Sequence, residues 1–290
     1  MDSKGLYALP AEVPRLEPHL PPLHGGLATP RSLPFVTLTF ATSLDSALAL
    51  APGIRTSLSG PKSAAMTHYL RSRHDGILIG VGTAQADDPG LNCRLQNQAA
   101  STQAASAPGL LISADGGPRR HHQPRPVILD PRARWPVPEN SRVLRLAREG
   151  AGLAPFVVTG LTDPEKIPGG QRETLERHGG KYIPVKPRGL AETGESYILG
   201  WEEVFRALKE EGLDSIMVEG GGRVINSLLE APHNALVDSV IVTVAPTWLG
   251  QGGVVVSPRR SDPSAAAVRL VNVTWHPLGE DIVMCGRIPR

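Results

Sequence analysis

The sequence predicts an α/β fold in which a mostly parallel central sheet is flanked by helices and ends in antiparallel strands. Two observations support this class. Short apolar runs rich in branched residues, typical of buried strands, alternate with segments of helical periodicity. This strand–loop–helix order repeats along the chain, as parallel strands with crossover connections require. The last two apolar runs, near the C-terminus, are predicted to be the antiparallel strands.

Composition limits the function classes. The 290 residues suffice to bury a core, and 31 glycines with 28 prolines predict long loops rather than long helices. A formal net charge of +2 is too small to indicate a nucleic-acid partner. No apolar run has the roughly 18 residues that a membrane-spanning helix needs. Neither a membrane nor a nucleic acid is therefore an expected partner.

The cysteines and the N-terminus indicate a cytoplasmic protein. Cys93 and Cys285 form neither a CxxC pair nor a cluster with histidine, so no metal site is predicted from them. So few cysteines fit a reducing compartment, and the N-terminus lacks the basic-then-apolar order of a secretory signal. The pair His121 and His122 suggests a metal or a solvated loop; the loop is favoured because no acidic or sulfur partner lies nearby.

The chain is interpreted as one domain with two additions. Residues 1–33 contain six prolines and little periodicity, which predicts an extended N-terminal arm, disordered or wrapped on the surface. Residues 34–290 form the domain itself. Residues 95–125 are low in complexity and polar, and so long a structureless loop is uncommon inside a compact domain, so a surface insertion is predicted.

Periodicity places the elements within the domain. The predicted strands are 35–40, 77–81, 126–130, 156–160, 182–185, 215–219, 237–244, 268–275 and 282–286. The predicted helices are 62–73, 170–178, 201–209 and 223–229. The order strand, helix, strand at the start predicts a right-handed crossover that makes the first two strands parallel neighbours.

The stretch 75–94 organises the candidate site. A buried strand meets Gly82 and Thr83, and Asp87, Asp88 and Pro89 follow in what is interpreted as a loop. Ligands of open α/β sheets bind at this carboxyl end of the strands, so the loop is predicted to hold a phosphorylated cofactor. Asp87 and Asp88 suit a metal site, an acid/base pair, or turn and cap positions. A carboxylate at Asp87 facing a cofactor ribose or amide is the favoured interpretation.

A second glycine cluster, Gly220 to Gly222, follows a strand that ends at Glu219 and precedes Arg223. Bare backbone N–H groups at the start of a helix bind phosphate, although such glycines also occur in simple tight turns. Two clusters after two strands favour a dinucleotide lying across the strand ends. Neither the G-x-G-x-x-G fingerprint nor the P-loop pattern is present.

Two arginines, Arg71 and Arg94, are candidates for a substrate phosphate. Arg71 and Arg73 come late in a predicted helix, where a cation is favourable in any case. Arg94 follows the organising stretch. If Arg71 and Arg94 converge, they form a fork for phosphate; each alone also fits an ordinary surface position.

These motifs together resemble a known family. The resemblance rests on their order and spacing, in the segments 35–45, 70–75, 80–89, 127–130, 219–223, 237–238 and 245–250. The chain from about 34 to 288 resembles the dihydrofolate-reductase-like reductases of riboflavin biosynthesis. Among these it is most similar to the fungal reductases of 2,5-diamino-6-ribosylamino-4(3H)-pyrimidinone 5′-phosphate.

The resemblance implies a homodimer that uses NADPH to reduce the ribosylamino side chain of this sugar-phosphate pyrimidinone to the ribitylamino form. The cofactor contacts that it implies are Ser57, Thr83, Asp87, Gly220, Gly221, Gly222 and Arg223. To these we add Thr159, which lies at a strand end. The substrate contacts that it implies are Arg71, Leu91, Arg94 and Glu219. Glu219, Asp45 or water can supply the proton to the sugar ring oxygen, so Glu219 and Asp45 are the candidate catalytic residues.

Departures from the family pattern leave alternatives open. Many relatives carry Gly-Lys after the aspartate, whereas Ser46 and Ala47 follow Asp45 here, so a catalytic lysine is absent. Pro131 replaces a small hydroxyl residue, and the ligands of the zinc deaminase often fused to bacterial relatives are missing. The alternatives are a dihydrofolate or pterin reductase and a non-catalytic NADP-binding protein. NADPH rather than NADH would require donors such as Arg132 and Arg134.

Overall fold

The computed structural model describes residues 7–8, 10–22, 31–95, 123–190, 197–260 and 268–289. Most of the predicted insertion, including His121 and His122, lies outside these residues. The strands are β1 Phe35–Thr42, β2 Ala47–Ala49, β3 Gly76–Gly80, β4 Arg125–Leu129, β5 Phe156–Thr159, β6 Lys181–Pro184, β7 Gly189–Leu190, β8 Tyr197–Ile198, β9 Ser215–Gly220, β10 Ser239–Val244, β11 Val254–Val255, β12 Val271–Leu278 and β13 Asp281–Arg287. The helices are α1 Pro61–Ser72, α2 Val81–Asp87, α3 Arg142–Arg148, α4 Gly169–Arg177, α5 Trp201–Glu210 and α6 Gly222–Leu229.

Within the described residues nine strands form one sheet, in the order β12-β13-β10-β1-β9-β3-β4-β5-β6. The strands from β10 to β6 in this order are parallel to their neighbours, and β13 pairs antiparallel with both β10 and β12. The predicted class, a mostly parallel sheet with antiparallel C-terminal strands, is confirmed. Small two-stranded sheets join β2 to β11 and β7 to β8.

The two strands expected to be neighbours are separated. β9 lies between β1 and β3, so that Val218 pairs with Leu38 on one side and with Leu78 on the other. The strand–helix–strand order predicts parallel strands in one sheet, but it leaves room for a third strand between them. A strand from much later in the chain takes that place because its residues are apolar on both faces, as a central strand requires.

Successive residues of the sheet pack on opposite faces. Leu78 packs with the apolar residues of α5 and α6, including Phe205 and Leu228. Its neighbours Ile77 and Ile79 pack on the other face with α3 and α4. This alternation, with both faces covered, explains why the strands appear in the sequence as uninterrupted apolar runs.

The described part of the N-terminal arm packs against the domain, and part of it is helical rather than extended. Val13–His19 forms a 3₁₀ helix, and Val13, Leu16 and Leu20 are buried against α1 and β13. Glu17 binds Tyr69 and Arg73 of α1 and its C-cap. Proline at the helix start satisfies the local geometry, and burial of three apolar side chains stabilises the segment, in agreement with the wrapped alternative rather than the disordered one.

His74, two residues before the start of β3, predicts a pH dependence of stability. The ring is fully buried, with Nδ1 2.7 Å from the Leu70 carbonyl and Nε2 2.7 Å from Thr37 Oγ1. Since a carbonyl only accepts, Nδ1 carries the proton and Nε2 accepts from Thr37, so the ring is neutral. Burial lowers the pKa of His74 to about 4.

In the unfolded chain the His74 imidazole takes up a proton near pH 6.5, whereas in the folded chain it stays neutral until about pH 4. The free energy of unfolding therefore decreases as the pH is lowered below 6.5. From this residue we expect a loss of about 2 kcal/mol in the free energy of unfolding between pH 7 and pH 5. Urea denaturation at the two pH values measures it. His74→Gln should weaken the dependence without abolishing it, because burial also lowers the pKa of His68, to about 3. An unchanged slope in that variant would contradict the assignment.

Candidate active site

The carboxyl ends of the parallel strands meet at one edge of the sheet, and two strand–helix junctions touch there. Ile79 near the end of β3 pairs with Gly220 at the end of β9. α2 begins at once after β3 and α6 after β9, with Gly80 and Gly221 as their N-caps. The edge that binds ligands in open α/β sheets therefore carries two adjacent helix N-termini.

The glycines at the β9–α6 junction are required by this geometry. Gly220 and Gly221 have φ angles of 106° and 65°, the left-handed region that side chains disfavour. A Cβ at Gly221 would lie 2.8 Å from Thr83 Oγ1, and one at Gly222 would lie 2.4 Å from Val254 Cγ1. No side chain caps the first turn of α6. Its backbone N–H groups thus form a cradle whose shape and polarity fit a cofactor pyrophosphate.

The segment that carries Thr83 and Asp87 is a helix, and the prediction of a loop was wrong. Gly82 and the short length of the segment concealed α2 in the sequence, whereas burial of Val81 and Ala84 stabilises it. Residues four apart lie on the same helix face, so the Thr83 hydroxyl and the Asp87 carboxyl both face one cavity. Burial raises the pKa of Asp87, and the Arg55 charge opposes this.

This cavity, of about 270 Å³, collects the residues predicted to hold substrate. Arg71, Leu91, Arg94 and Glu219 all line it beside Thr83 and Asp87. The remaining lining residues, which the sequence interpretation did not single out for this role, are Arg55, Ile79, Pro89, Gly90, Asn92 and Arg142. Four arginines around a cavity of this size make it suited to an anionic ligand, and above all to phosphate.

Arg71 is paired within the protein. Its Nε and Nη2 atoms donate to the two carboxylate oxygens of Glu219 at 2.7 and 2.6 Å, and Nη1 donates to the Asn92 carbonyl at 3.1 Å. Burial opposes the Arg71 charge, but Glu219 outweighs it and holds the arginine pKa above its usual range. The Arg71–Glu219 pair is therefore neutral overall.

Arg55 and Arg142 are the functional candidates that the sequence concealed. Arg55 is an exposed residue of the loop after β2, and Arg142 opens α3, a helix that the sequence interpretation had missed. Asp88, left-handed at φ 39°, accepts from the Arg142 backbone N–H at 3.0 and 3.2 Å, so Asp88 positions this arginine. The acidic residue Asp88 within a conspicuous turn was the available signal, but its partner lies 54 positions later.

Asp45 has a different environment from the one expected of a proton donor. Its carboxylate accepts from Ser43 Oγ and from the backbone N–H groups of Leu249 and Gly250. These hydrogen bonds lower the pKa of Asp45 to about 2, so it is ionised at neutral pH and has no proton to give. The side chain fastens the loop after β10 to the loop after β1, and it is not among the residues that line the cavity.

Three further predicted cofactor contacts lie at the same edge but outside the cavity. Ser57 is exposed on the loop before α1, and Arg223 is exposed on α6. Thr159 is buried at the end of β5, where its hydroxyl donates to the Pro131 carbonyl at 3.4 Å and accepts from the Leu161 N–H at 3.3 Å. Leu91, by contrast, lines the cavity and also packs into the core with a φ of 47°.

Leu91 is 2% exposed, so it contributes to the cavity as a fixed part of its wall.

Within the described ranges, no group of three or more histidine, cysteine, aspartate or glutamate side chains is placed to hold a metal ion. Among the helices of the same ranges, none has both the length and the apolar character needed to cross a bilayer.

Comparison with known proteins agrees with this architecture. The 2,5-diamino-6-ribosylamino-4(3H)-pyrimidinone 5′-phosphate reductase of Eremothecium gossypii is 42% identical over 258 residues, covering 88% of this chain and 89% of that protein. The protein of the same name from Saccharomyces cerevisiae is 35% identical over 258 residues, 88% of this chain and 87% of that protein.

Solved structures give the fold. The structure of the riboflavin biosynthesis reductase of Saccharomyces cerevisiae matches with a TM-score of 0.69 and 32% identity, covering 95% of this chain and 98% of that one. RibD of Acinetobacter baumannii matches with a TM-score of 0.65 at 23% identity, which supports the fold alone. The architecture is thus the dihydrofolate-reductase-like one. A family model described as the RibD C-terminal domain matches residues 34–284, and the chain belongs to that family.

Proposed function

We propose that this protein reduces the ribosylamino side chain of 2,5-diamino-6-ribosylamino-4(3H)-pyrimidinone 5′-phosphate to the ribitylamino form, a step of riboflavin biosynthesis, with NADPH as the reductant. The observation that carries the proposal is the contact between the glycine cradle and the arginine-lined cavity, with Thr83 common to both. The named activity of relatives up to 42% identical supports it. A cradle for a dinucleotide and an adjoining cavity for a sugar phosphate are what this reaction needs.

The charges of the cavity support a phosphorylated substrate. Arg94, Arg55 and Arg142 line the cavity together with the Arg71–Glu219 pair, and we assign the substrate phosphate to these three arginines. Ile79 and Leu91 form the apolar wall against which a flat pyrimidinone can pack. A folate or pterin substrate is less well supported, because such a ring system needs a long apolar cleft. The cavity here has a volume of about 270 Å³ and is lined by four arginines.

The proposed mechanism assigns binding and orientation to the protein. The cofactor, when bound, supplies the hydride that reduces the sugar carbon. Thr83, Asp87 and the N–H groups of 220–222 hold the cofactor beside the cavity. Arg71 fixes the Glu219 carboxylate at the cavity wall. From there the carboxylate can orient the sugar hydroxyls, or it can orient a water molecule that protonates the sugar ring oxygen. Asp45 takes no part in the proton transfer.

The finer details of the proposal have separate support. Arg132 and Arg134 follow β4 at the edge where the strands end. We therefore assign the 2′-phosphate of the cofactor to that region, and hence NADPH rather than NADH.

The outer strand β12 exposes the apolar side chains of Val271, Val273 and Trp275, the last of them 58% exposed, which supports a homodimer. Sedimentation equilibrium tests it, and a monomer mass would contradict it. The two free cysteines support a cytoplasmic location.

The function is tested by following NADPH absorbance with the authentic substrate. We expect oxidation that depends on the ribosylamino pyrimidinone phosphate and is absent with dihydrofolate. An absorbance that stays constant with the authentic compound would contradict the proposal, and tight NADPH binding without turnover would favour a non-catalytic NADP-binding protein instead.

Arg94→Ala separates the two halves of the site. We expect it to raise KM for the substrate about 30-fold, because a charge-assisted phosphate contact contributes about 2 kcal/mol, and to leave the Kd of NADPH unchanged. Steady-state kinetics and fluorescence titration measure the two constants. Arg145→Ala, at an exposed position of α3 that does not line the cavity, is the control. An equal loss of NADPH affinity in Arg94→Ala would place Arg94 on the cofactor side.

A further inference from the structure

The N-terminal arm reaches the cavity wall. Tyr7 forms a parallel β-bridge with Leu95, and its backbone N–H donates to the Arg94 carbonyl at 2.8 Å. The Arg94 guanidinium carbon lies 5.3 Å from the centre of the Tyr7 ring, within the range of a cation–π interaction. A residue from the start of the chain therefore contacts both the backbone and the side chain of a cavity arginine.

His68 of α1 completes this arrangement. Its ring stacks on Tyr7, with the ring centres 4.6 Å apart, and its Nδ1 accepts from the Arg94 backbone N–H at 3.2 Å. Burial, with the charges of Arg71 and Arg94, lowers the pKa of His68 to about 3, so the ring is neutral at physiological pH. A neutral imidazole can accept that hydrogen bond and support the tyrosine without adding a positive charge beside Arg94.

The arm is fastened on the way to this position. Leu16 and Leu20 are buried against α1, Glu17 binds Tyr69 and Arg73, and Arg287 of β13 donates to the Pro18 carbonyl. These contacts reduce the conformational freedom of the segment that precedes them in the chain, so the entropic cost of placing Tyr7 at the cavity is smaller.

We propose that Tyr7 is a positioning residue for the substrate phosphate: its ring and backbone hold Arg94 in the orientation that binds the anion. The inference rests on the proposed function, because it assigns Arg94 to the substrate phosphate. It makes the N-terminal arm a part of the active site, a role that its proline-rich composition does not indicate. A pre-oriented arginine loses less rotamer freedom on binding, which raises affinity without new contacts to the ligand.

Tyr7→Ala tests this. We expect a rise of about tenfold in KM for the sugar-phosphate substrate, with kcat, the Kd of NADPH and the melting temperature close to those of the wild type. Tyr7→Phe keeps the ring and should restore the wild-type KM. Arg15→Ala removes an exposed cation of the same arm and serves as the matched control. In an Arg94→Ala background, Tyr7→Ala should have no further effect on KM, since both changes remove the same interaction.

The outcomes separate this inference from the proposed function. Suppose that the wild type reduces the substrate. If Tyr7→Ala then has the wild-type KM, whether or not its kcat and melting temperature fall, the inference is overturned and the proposed function stands. If the wild type does not turn over, the function fails, and inorganic phosphate becomes the probe. A thermal shift by phosphate that Tyr7→Ala loses and Tyr7→Phe keeps would still support the positioning role, and equal shifts in all three would overturn it.

Discussion

Replacing Arg71 by methionine is expected to lower kcat/KM on the order of 100-fold and the free energy of unfolding by about 3 kcal/mol. Both effects come from Glu219. Its carboxylate would lose the two hydrogen bonds of 2.7 and 2.6 Å that fix it, in a place where the paired side chains are only 14% and 16% exposed. An uncompensated carboxylate in such surroundings is costly and moves toward water, away from the position that the reaction needs.

The chain offers a matched control for this variant. Arg206 pairs with Glu202 at the same distance of 2.6 Å, but both side chains are 49% exposed on α5. Arg206→Met should therefore change stability by no more than about 0.5 kcal/mol and leave activity intact. Adding Glu219→Gln to Arg71→Met should recover part of the stability but none of the activity. Urea denaturation and steady-state kinetics measure the set; equal losses in the buried and the exposed variants would refute the role assigned to the pair.

Gly221→Ala is expected to weaken NADPH binding at least tenfold. The left-handed φ of 65° makes any side chain unfavourable by about 1–2 kcal/mol, and the new Cβ would lie 2.8 Å from Thr83 Oγ1. The first turn of α6 or the start of α2 must shift to relieve that contact. Because both carry groups assigned to the cofactor, either shift disturbs the cradle.

Gly212→Ala separates backbone strain from loss of the cradle. Gly212 has a φ of 81°, a Cβ added to it would meet nothing within 4 Å, and it follows α5 away from the carboxyl edge. This variant should lose a similar amount of stability but keep the Kd of NADPH. Fluorescence titration with NADPH and thermal denaturation compare the two. Unchanged cofactor affinity in Gly221→Ala would show that the β9–α6 junction does not hold the cofactor.

Much of the site was accessible from local sequence patterns. Thr83, Asp87, Arg71, Leu91, Arg94 and Glu219 were predicted to belong to the site, and all six line the same cavity. They were found because a buried strand that ends at glycine is a local signal, and because their order resembles that of a known family. Asp45 shows the limit of such a prediction: the residue matches the family motif, but its three hydrogen bonds fit it for fastening two loops.

What the sequence could not provide are the partners of these residues. The carboxylate that neutralises Arg71 lies 148 positions away, and the arm residue that contacts Arg94 belongs to a proline-rich segment with little periodicity. Arg55 and Arg142 are inconspicuous in sequence, since a solvated arginine and one that faces a cavity have the same neighbours along the chain. Such pairings depend on which elements meet in three dimensions.

The sequence by itself determined where most strands of the central sheet form and that most of them are parallel, because apolar periodicity is a property of a few consecutive residues. The tertiary structure decided that β9 separates β1 from β3, that α2 is a helix, and that Glu219 faces Arg71. Strand order and ion pairing are settled by packing between distant segments. For this protein, that packing turns two glycine junctions and scattered arginines into one site.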